Sequence, residues 1–173
     1  MPEHGRMGIR YYAYAFDADL TEQALADPQS MISDDPLADA WGMPHGATIA
    51  VTNFEQSVPK TEMLYLDKAW SNLQWLTAPQ AAQEAPRPAF RMFEGHVDWH
   101  ELGWDPWVRA IAPADVPAIA HDVANLRDEL RCEAVGVHDP ERDGSYVLDF
   151  LERAVRFTAQ IARDGRGLAY LIG

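Results

Sequence analysis

The fold is decided by the last 28 residues, YVLDFLERAVRFTAQIARDGRGLAYLIG, residues 146–173. Val147, Phe150, Leu151, Ala154, Phe157 and Ile161 fall at helical spacing and make one apolar stripe. On the other side, Asp149/Arg153 and Glu152/Arg156 are spaced i,i+4 with the acid first, the favourable order for helix ion pairs. The spacing therefore predicts a helix over Tyr146 to Arg163. Gly165 is placed to end it, since glycine adopts the left-handed cap without a Cβ penalty. Gly167 to Ile172 follows, apolar and uncharged, as expected of an interior strand.

Upstream elements are shorter. Gly8 to Phe16 alternates, with Ile9, Tyr11, Ala13 and Ala15 on one face and Arg10, Tyr12, Tyr14 and Phe16 on the other, which reads as a strand. Asp17 and Asp19 offer caps for a short helix over Leu20 to Ala26, and Asp27-Pro28 marks another start. Asp34-Asp35-Pro36 predicts a helical turn carrying Leu37, Ala40 and Trp41, with Ala47 to Asn53 as a possible strand beyond it. Met63 to Leu66 reads as a buried strand, with Asp67 as N-cap of a helix over Lys68 to Leu76. Ala78 to Arg91 is a proline-interrupted connector, and Phe93 to Trp107 an aromatic, irregular segment. Val108 to Ile111 is a short strand. Val116, Ile119, Ala120, Val123, Leu126 and Leu130 then follow helical spacing, with Asp115 as cap. His138 to Gly144 is a polar turn. Irregular alternation with short strands at both ends predicts an α+β fold with a mixed β-sheet, not a doubly wound one.

At 173 residues, 47% of them hydrophobic, the chain is long enough to bury a core as one domain. No apolar run approaches the roughly 20 residues of a membrane span. The opening residues Met1 to Arg6 carry no signal-peptide pattern, and Cys132 is the single cysteine; both are consistent with a cytoplasmic protein. Fourteen basic against 27 acidic residues give a net charge of −13. Binding to nucleic-acid phosphates runs on Lys and Arg, so it is not expected. Residues 1–59 hold nine Asp/Glu and only Arg6 and Arg10, an acidic bias able to steer a basic protein partner.

No catalytic residue stands out. His96 and His100 are spaced i,i+4 and would face one metal if the segment were helical, but Gly95 and Gly103 flank it. The serines lack a glycine-flanked elbow. Cys132 lies beside Glu133 at a helix end, where a thiol is not activated. Gly165-Arg166-Gly167 follows a helix, the wrong order for a phosphate-cradling loop. No cofactor is expected. Trp70 and Trp75 read as core, whereas Trp99, Trp104 and Trp107 could line a ligand or partner surface.

Four motifs in order resemble a known family. Met7-Gly8-Ile9-Arg10-Tyr11-Tyr12, Leu64-Tyr65-Leu66-Asp67-Lys68-Ala69-Trp70, Arg109-Ala110-Ile111-Ala112-Pro113-Ala114-Asp115-Val116 and Gly167 to Gly173 are similar to segments of the YfbM-like bacterial proteins, an α+β domain of unknown function. The resemblance implies a single domain over 7–173, with residues 1–6 as an extension. It carries over no catalytic residue. Where many members have His-Gly-x-His after the tryptophan, this chain has Ser71, Asn72, Leu73 and Gln74, which favours binding over catalysis. Ala112 stands where a capping threonine is usual.

Two functions follow as expectations. The first is a non-catalytic binding domain whose acidic face meets a basic protein. The second is a small-molecule-binding domain or enzyme with a cleft near Tyr12, Asp67, Arg109 and the Trp99–Trp107 loop. The candidate ligand-binding residues are Tyr11, Tyr12, Asp67, Lys68, Trp70, Trp99 and Arg109.

Overall fold

The computed structural model describes residues 8–43, 62–134 and 144–173. The expected extension at 1–6, the strand at 47–53 and most of the turn at 138–144 lie outside these residues. Among the described residues, six strands and five α-helices run in the order β1 (Tyr11–Phe16), α1 (Thr21–Ala26), α2 (Pro36–Ala40), β2 (Met63–Asp67), α3 (Trp70–Thr77), β3 (Asp98–His100), β4 (Gly103–Asp105), β5 (Trp107–Ile111), α4 (Val116–Ala134), α5 (Gly144–Arg163) and β6 (Gly167–Ile172).

Four strands form a sheet in the order β2-β1-β6-β5, and β3 pairs with β4 as a separate hairpin. The α+β class is as expected, but every described pairing is antiparallel, so the sheet is not mixed. The reason lies in α4 and α5. Glu152 of α5 meets Arg127 and Arg131 of α4, so the two helices pack side by side. The crossover from β5 to β6 runs through both helices, and its odd number of reversals brings β6 back against β5 in the opposite sense.

Both central strands are buried along their whole length. Period-two alternation sends Tyr11, Ala13, Ala15, Leu168, Tyr170 and Ile172 into one core, with Leu73 of α3 and Val123 and Leu151 of the long helices α4 and α5. Tyr12, Tyr14, Phe16, Ala169 and Leu171 enter a second core under Ala24, Met31 and Leu37. The sheet is thus a middle layer, with the long helices on one face and the short N-terminal helices on the other. Gly165 ends α5 at φ 65°, with Arg166 N–H donating to the Ile161 carbonyl, as the sequence predicts.

Several local expectations change. Asp35 does cap α2, accepting from Ala38 N–H at 3.0 Å. Asp17 sits at a cap position without making the side-chain bond; its carboxylate lies 2.9 Å from Arg166. Trp75, read as core, is 67% exposed, because Leu73 and Thr77 are the α3 residues that point inward. Asp115 lies 3.1 Å from Arg91. The segment 93–107 is less irregular than expected: it folds back at Glu101-Leu102 to make the β3–β4 hairpin. The two helix ion pairs expected in α5 do not form. Glu152 is claimed by Arg127 and Arg131, and Arg153 lies over the Phe150 ring, 4.6 Å from its centroid.

Candidate functional site

Asp67 ends β2 and is the one residue other than glycine, among those described, with positive φ (47°). Aspartate tolerates this region better than most residues. The register shifts here, with Tyr12 opposite Tyr65 and Tyr11 opposite Asp67, so the strand bulges at Leu66 and re-aims the carboxylate. It does not cap α3, whose N-cap position is Ala69 and carries no side-chain bond. Instead it collects three donors. Arg10 Nε (3.1 Å) and the Tyr65 hydroxyl (3.0 Å) reach Oδ1, and the Tyr146 hydroxyl (2.8 Å) reaches Oδ2. One carboxylate therefore ties β2, the start of β1 and the first turn of α5 together. The rings continue the cluster: Tyr12 lies 5.4 Å from Tyr65, and Phe150 packs edge-on against Tyr65 and Tyr146.

The electrostatics are those of a locked site. Partial burial pushes the Asp67 pKa up, but the Tyr146 and Tyr65 hydroxyls and the Arg10 charge outweigh it and hold the carboxyl below its usual value. Burial and then the Asp67 carboxylate push Tyr146 up to about 12, and the same two causes raise Tyr65. A carboxylate held below its ordinary range is a poor general base near neutrality, and tyrosines held above theirs are poor acids.

Arg109 belongs to a different place. It lies on β5, three strands from β2, which is roughly 14 Å at the usual strand spacing. It pairs with Glu94, and its guanidinium stands 5.1 Å from the Trp107 ring centroid. His96 packs on the same ring at 5.2 Å, and Gly95 fits tightly beneath it, where a Cβ would lie 2.4 Å from the indole. Beside this stack the β3–β4 hairpin projects. Trp99 and Trp104 face each other at 5.4 Å; Trp104 packs on the main core, while Trp99 is 53% exposed and Leu102, at the tip, 95%. Asp98 and Asp105 also face each other, an unfavourable like-charge pair. Each has a histidine nearby, His96 at 3.4 Å and His100 at 3.6 Å.

The expected cleft is therefore two separate sites at opposite edges of the sheet. Tyr11 is fully buried, donates to the Met92 carbonyl at 2.7 Å and stacks on Tyr170, so it has no surface for a ligand. Tyr12 is 5% exposed and belongs to the second core. Trp70 packs on the main core, and Lys68 is exposed on the turn before α3. His96 and His100 do not share a helix face: His100 ends an extended strand, and each imidazole turns to its own aspartate. Among the described residues no group of three or more His, Cys, Asp or Glu side chains could hold a metal ion. The residues in place of the family's histidines have structural duties. Ser71 donates to the Lys68 carbonyl at 3.2 Å, and Gln74 donates to the carbonyls of Phe93 and Gly95. Nothing in the sequence marks Tyr65, Tyr146 or Arg10 as partners of Asp67. Tyr65 shares a strand face with Asp67, the one local hint of its role; Tyr146 is 79 residues away and reads only as the start of the C-terminal helix.

No family model matches this chain, and no curated protein does. A solved structure of YfbM from Escherichia coli, described as a protein of unknown function, aligns with 95% of this chain and 99% of its own length. Its TM-score is 0.47 and its identity 15%. No helix among the described residues is long and apolar enough to cross a membrane.

Proposed function

We propose that this chain is a non-catalytic binding domain, and that it docks a basic protein partner through the β3–β4 hairpin. The observation that carries this reading is the exposure of Trp99 and Leu102 on a projecting hairpin beside Asp98, Glu101 and Asp105. Between Arg91 and Arg109 the chain has four acids and no Lys or Arg. An exposed aromatic anchor with a rim of one charge sign is the arrangement of an interface hot spot, and the rim selects a partner of opposite sign. The acidic N-terminal region supports the reading less than its composition suggests. Asp17 lies beside Arg166, Asp35 caps α2, and Asp39 accepts from the Tyr14 hydroxyl. The locked protonation states around Asp67 also favour binding over catalysis. The four ordered motifs support reading the chain as a divergent YfbM-like domain.

The test is affinity capture from the native host at low and high salt, with wild type, Trp99→Ala and Leu102→Ser. One basic protein is expected to be retained by wild type at low salt. It should be lost at several-fold higher salt, because exposed charge attraction is screened within about 10 Å at 0.1 M. Truncating the anchor should weaken binding by about 2 kcal/mol, roughly thirty-fold. Both side chains are exposed, so the variants should unfold at the wild-type temperature. A captured protein that is acidic, or held equally by both variants, would sink the proposal.

A further inference from the structure

The two arginines released from their expected helix pairs line a groove. Arg153, Arg156, Phe157 and Gln160 recur at three- and four-residue spacing, so they share one face of α5. That face looks across at β2, and the space between measures about 520 Å³, within the roughly 300–1,000 Å³ typical of small-molecule sites. Met63, Tyr65 and Phe157 supply an apolar floor. Two acids also line the groove, but both are engaged: Asp39 accepts from Tyr14 at 2.8 Å, and Glu62 lies 3.5 Å from Arg166. Among the described residues, no carboxylate stands within ion-pair distance of Arg153 or Arg156. Stacking on Phe150 positions the Arg153 guanidinium without using its N–H donors. Asp39 keeps its charge, because the Tyr14 hydroxyl is neutral, whereas Glu62 is offset by Arg166, so the two arginines leave the groove cationic on balance.

We propose that this groove binds a small organic oxyanion carried on an apolar body. Arg153 and Arg156 take the oxyanion, and the Met63, Tyr65 and Phe157 floor takes the apolar part; Gln160 is already engaged, donating to Asp164 at 2.8 Å and accepting from Arg163 at 2.6 Å. Guanidinium groups suit this task because their planar fork matches carboxylate and phosphate oxygens. The site is separate from the hairpin, which lies toward the other edge of the sheet, and stands whether or not the hairpin reading does.

Calorimetric titration of the full chain with phenyl phosphate, benzoate and inorganic phosphate tests it. Phenyl phosphate or benzoate should bind saturably at one site per chain, and inorganic phosphate more weakly. Arg153→Ala and Arg156→Ala should each weaken binding by about ten-fold or more, the usual effect of losing a charged hydrogen bond. Arg156→Lys should recover part of the loss. Arg91→Ala removes a charge far from the groove and should bind as wild type does. Both α5 arginines are exposed, and far-UV circular dichroism checks that the variants fold. The proposal is overturned if neither organic anion saturates, if inorganic phosphate binds as tightly as both, or if the double alanine variant binds unchanged.

Discussion

Asp122→Ala is expected to lower the unfolding free energy by about 2–4 kcal/mol, somewhat below the cost of removing one partner from a fully buried ion pair because Arg87 is partly exposed. Asp122 lies on the inner side of α4 and is 9% exposed. Arg87 reaches both its oxygens, through Nη2 at 2.8 Å and Nε at 3.0 Å, and the Ala89 N–H adds a bond of 2.9 Å. This carboxylate pins the connector to α4 just before Ala89, Met92 and Phe93, which are fully buried. Alanine would leave the Ala89 N–H without an acceptor in the interior, and Arg87 with only the exposed Glu129. Asp122→Asn keeps an acceptor for Ala89 and should cost less than half as much. Urea unfolding with unchanged slope measures both. Acid gives an independent check. Burial opposes ionisation, but the Arg87 and Ala89 bonds prevail and the pKa falls below its ordinary 3.8. A lowered carboxyl pKa stabilises the fold above the unfolded value, and that contribution disappears as pH drops through the folded one. The gap between wild type and Asp122→Ala should therefore be full at pH 7 and shrink below about pH 4. A loss under 1 kcal/mol at pH 7 would show that the connector is not anchored there.

The Asp122 clamp was invisible in the sequence, and the reason is general to this chain. Elements fixed by their own periodicity were legible: the α5 stripe with its glycine stop, the uncharged β6, the alternation of β1. Each depends on residues within one element. Side-chain pairings across elements were not. Arg87 and Asp122 are 35 positions apart, and Asp67 and Tyr146 are 79 apart. Local rules assign Asp67 and Asp17 to caps and Glu152 to an i,i+4 pair, and in these three a tertiary partner wins, whereas Asp35 keeps its cap. Asp67 went to Arg10 and the tyrosines, Asp17 to Arg166, Glu152 to α4. A local ion pair contributes only about 0.3–0.5 kcal/mol, so a better-placed partner displaces it easily. The loss of Glu152 to α4 also leaves Arg156 facing the groove.

Asp67→Ala should destabilise the fold by about 3 kcal/mol, and the cost has two separable parts. The larger is the loss of three hydrogen bonds to a charged acceptor, each about 1.5–3 kcal/mol when made but partly recovered from water at a half-exposed site. The smaller, about 1 kcal/mol, is holding alanine at φ 47°. Asp67→Gly removes the strain but not the bonds, and Asp67→Asn keeps left-handed tolerance and size but loses the charge. The expected order of stability is wild type, then Asn, then Gly, then Ala, read as urea midpoints. Tyr146→Phe should cost about 1–2 kcal/mol and bring no further loss in the Asp67→Ala background, because the pair shares one interaction. A cluster that is only structural must obey this order. If Asp67→Asn or Asp67→Gly proved more stable than wild type, the strained carboxylate would be conserving reactivity at a cost in stability, the signature of a functional site. Asp67 would then rejoin the candidate ligand residues, a short distance along β2 from the groove that Tyr65 already lines.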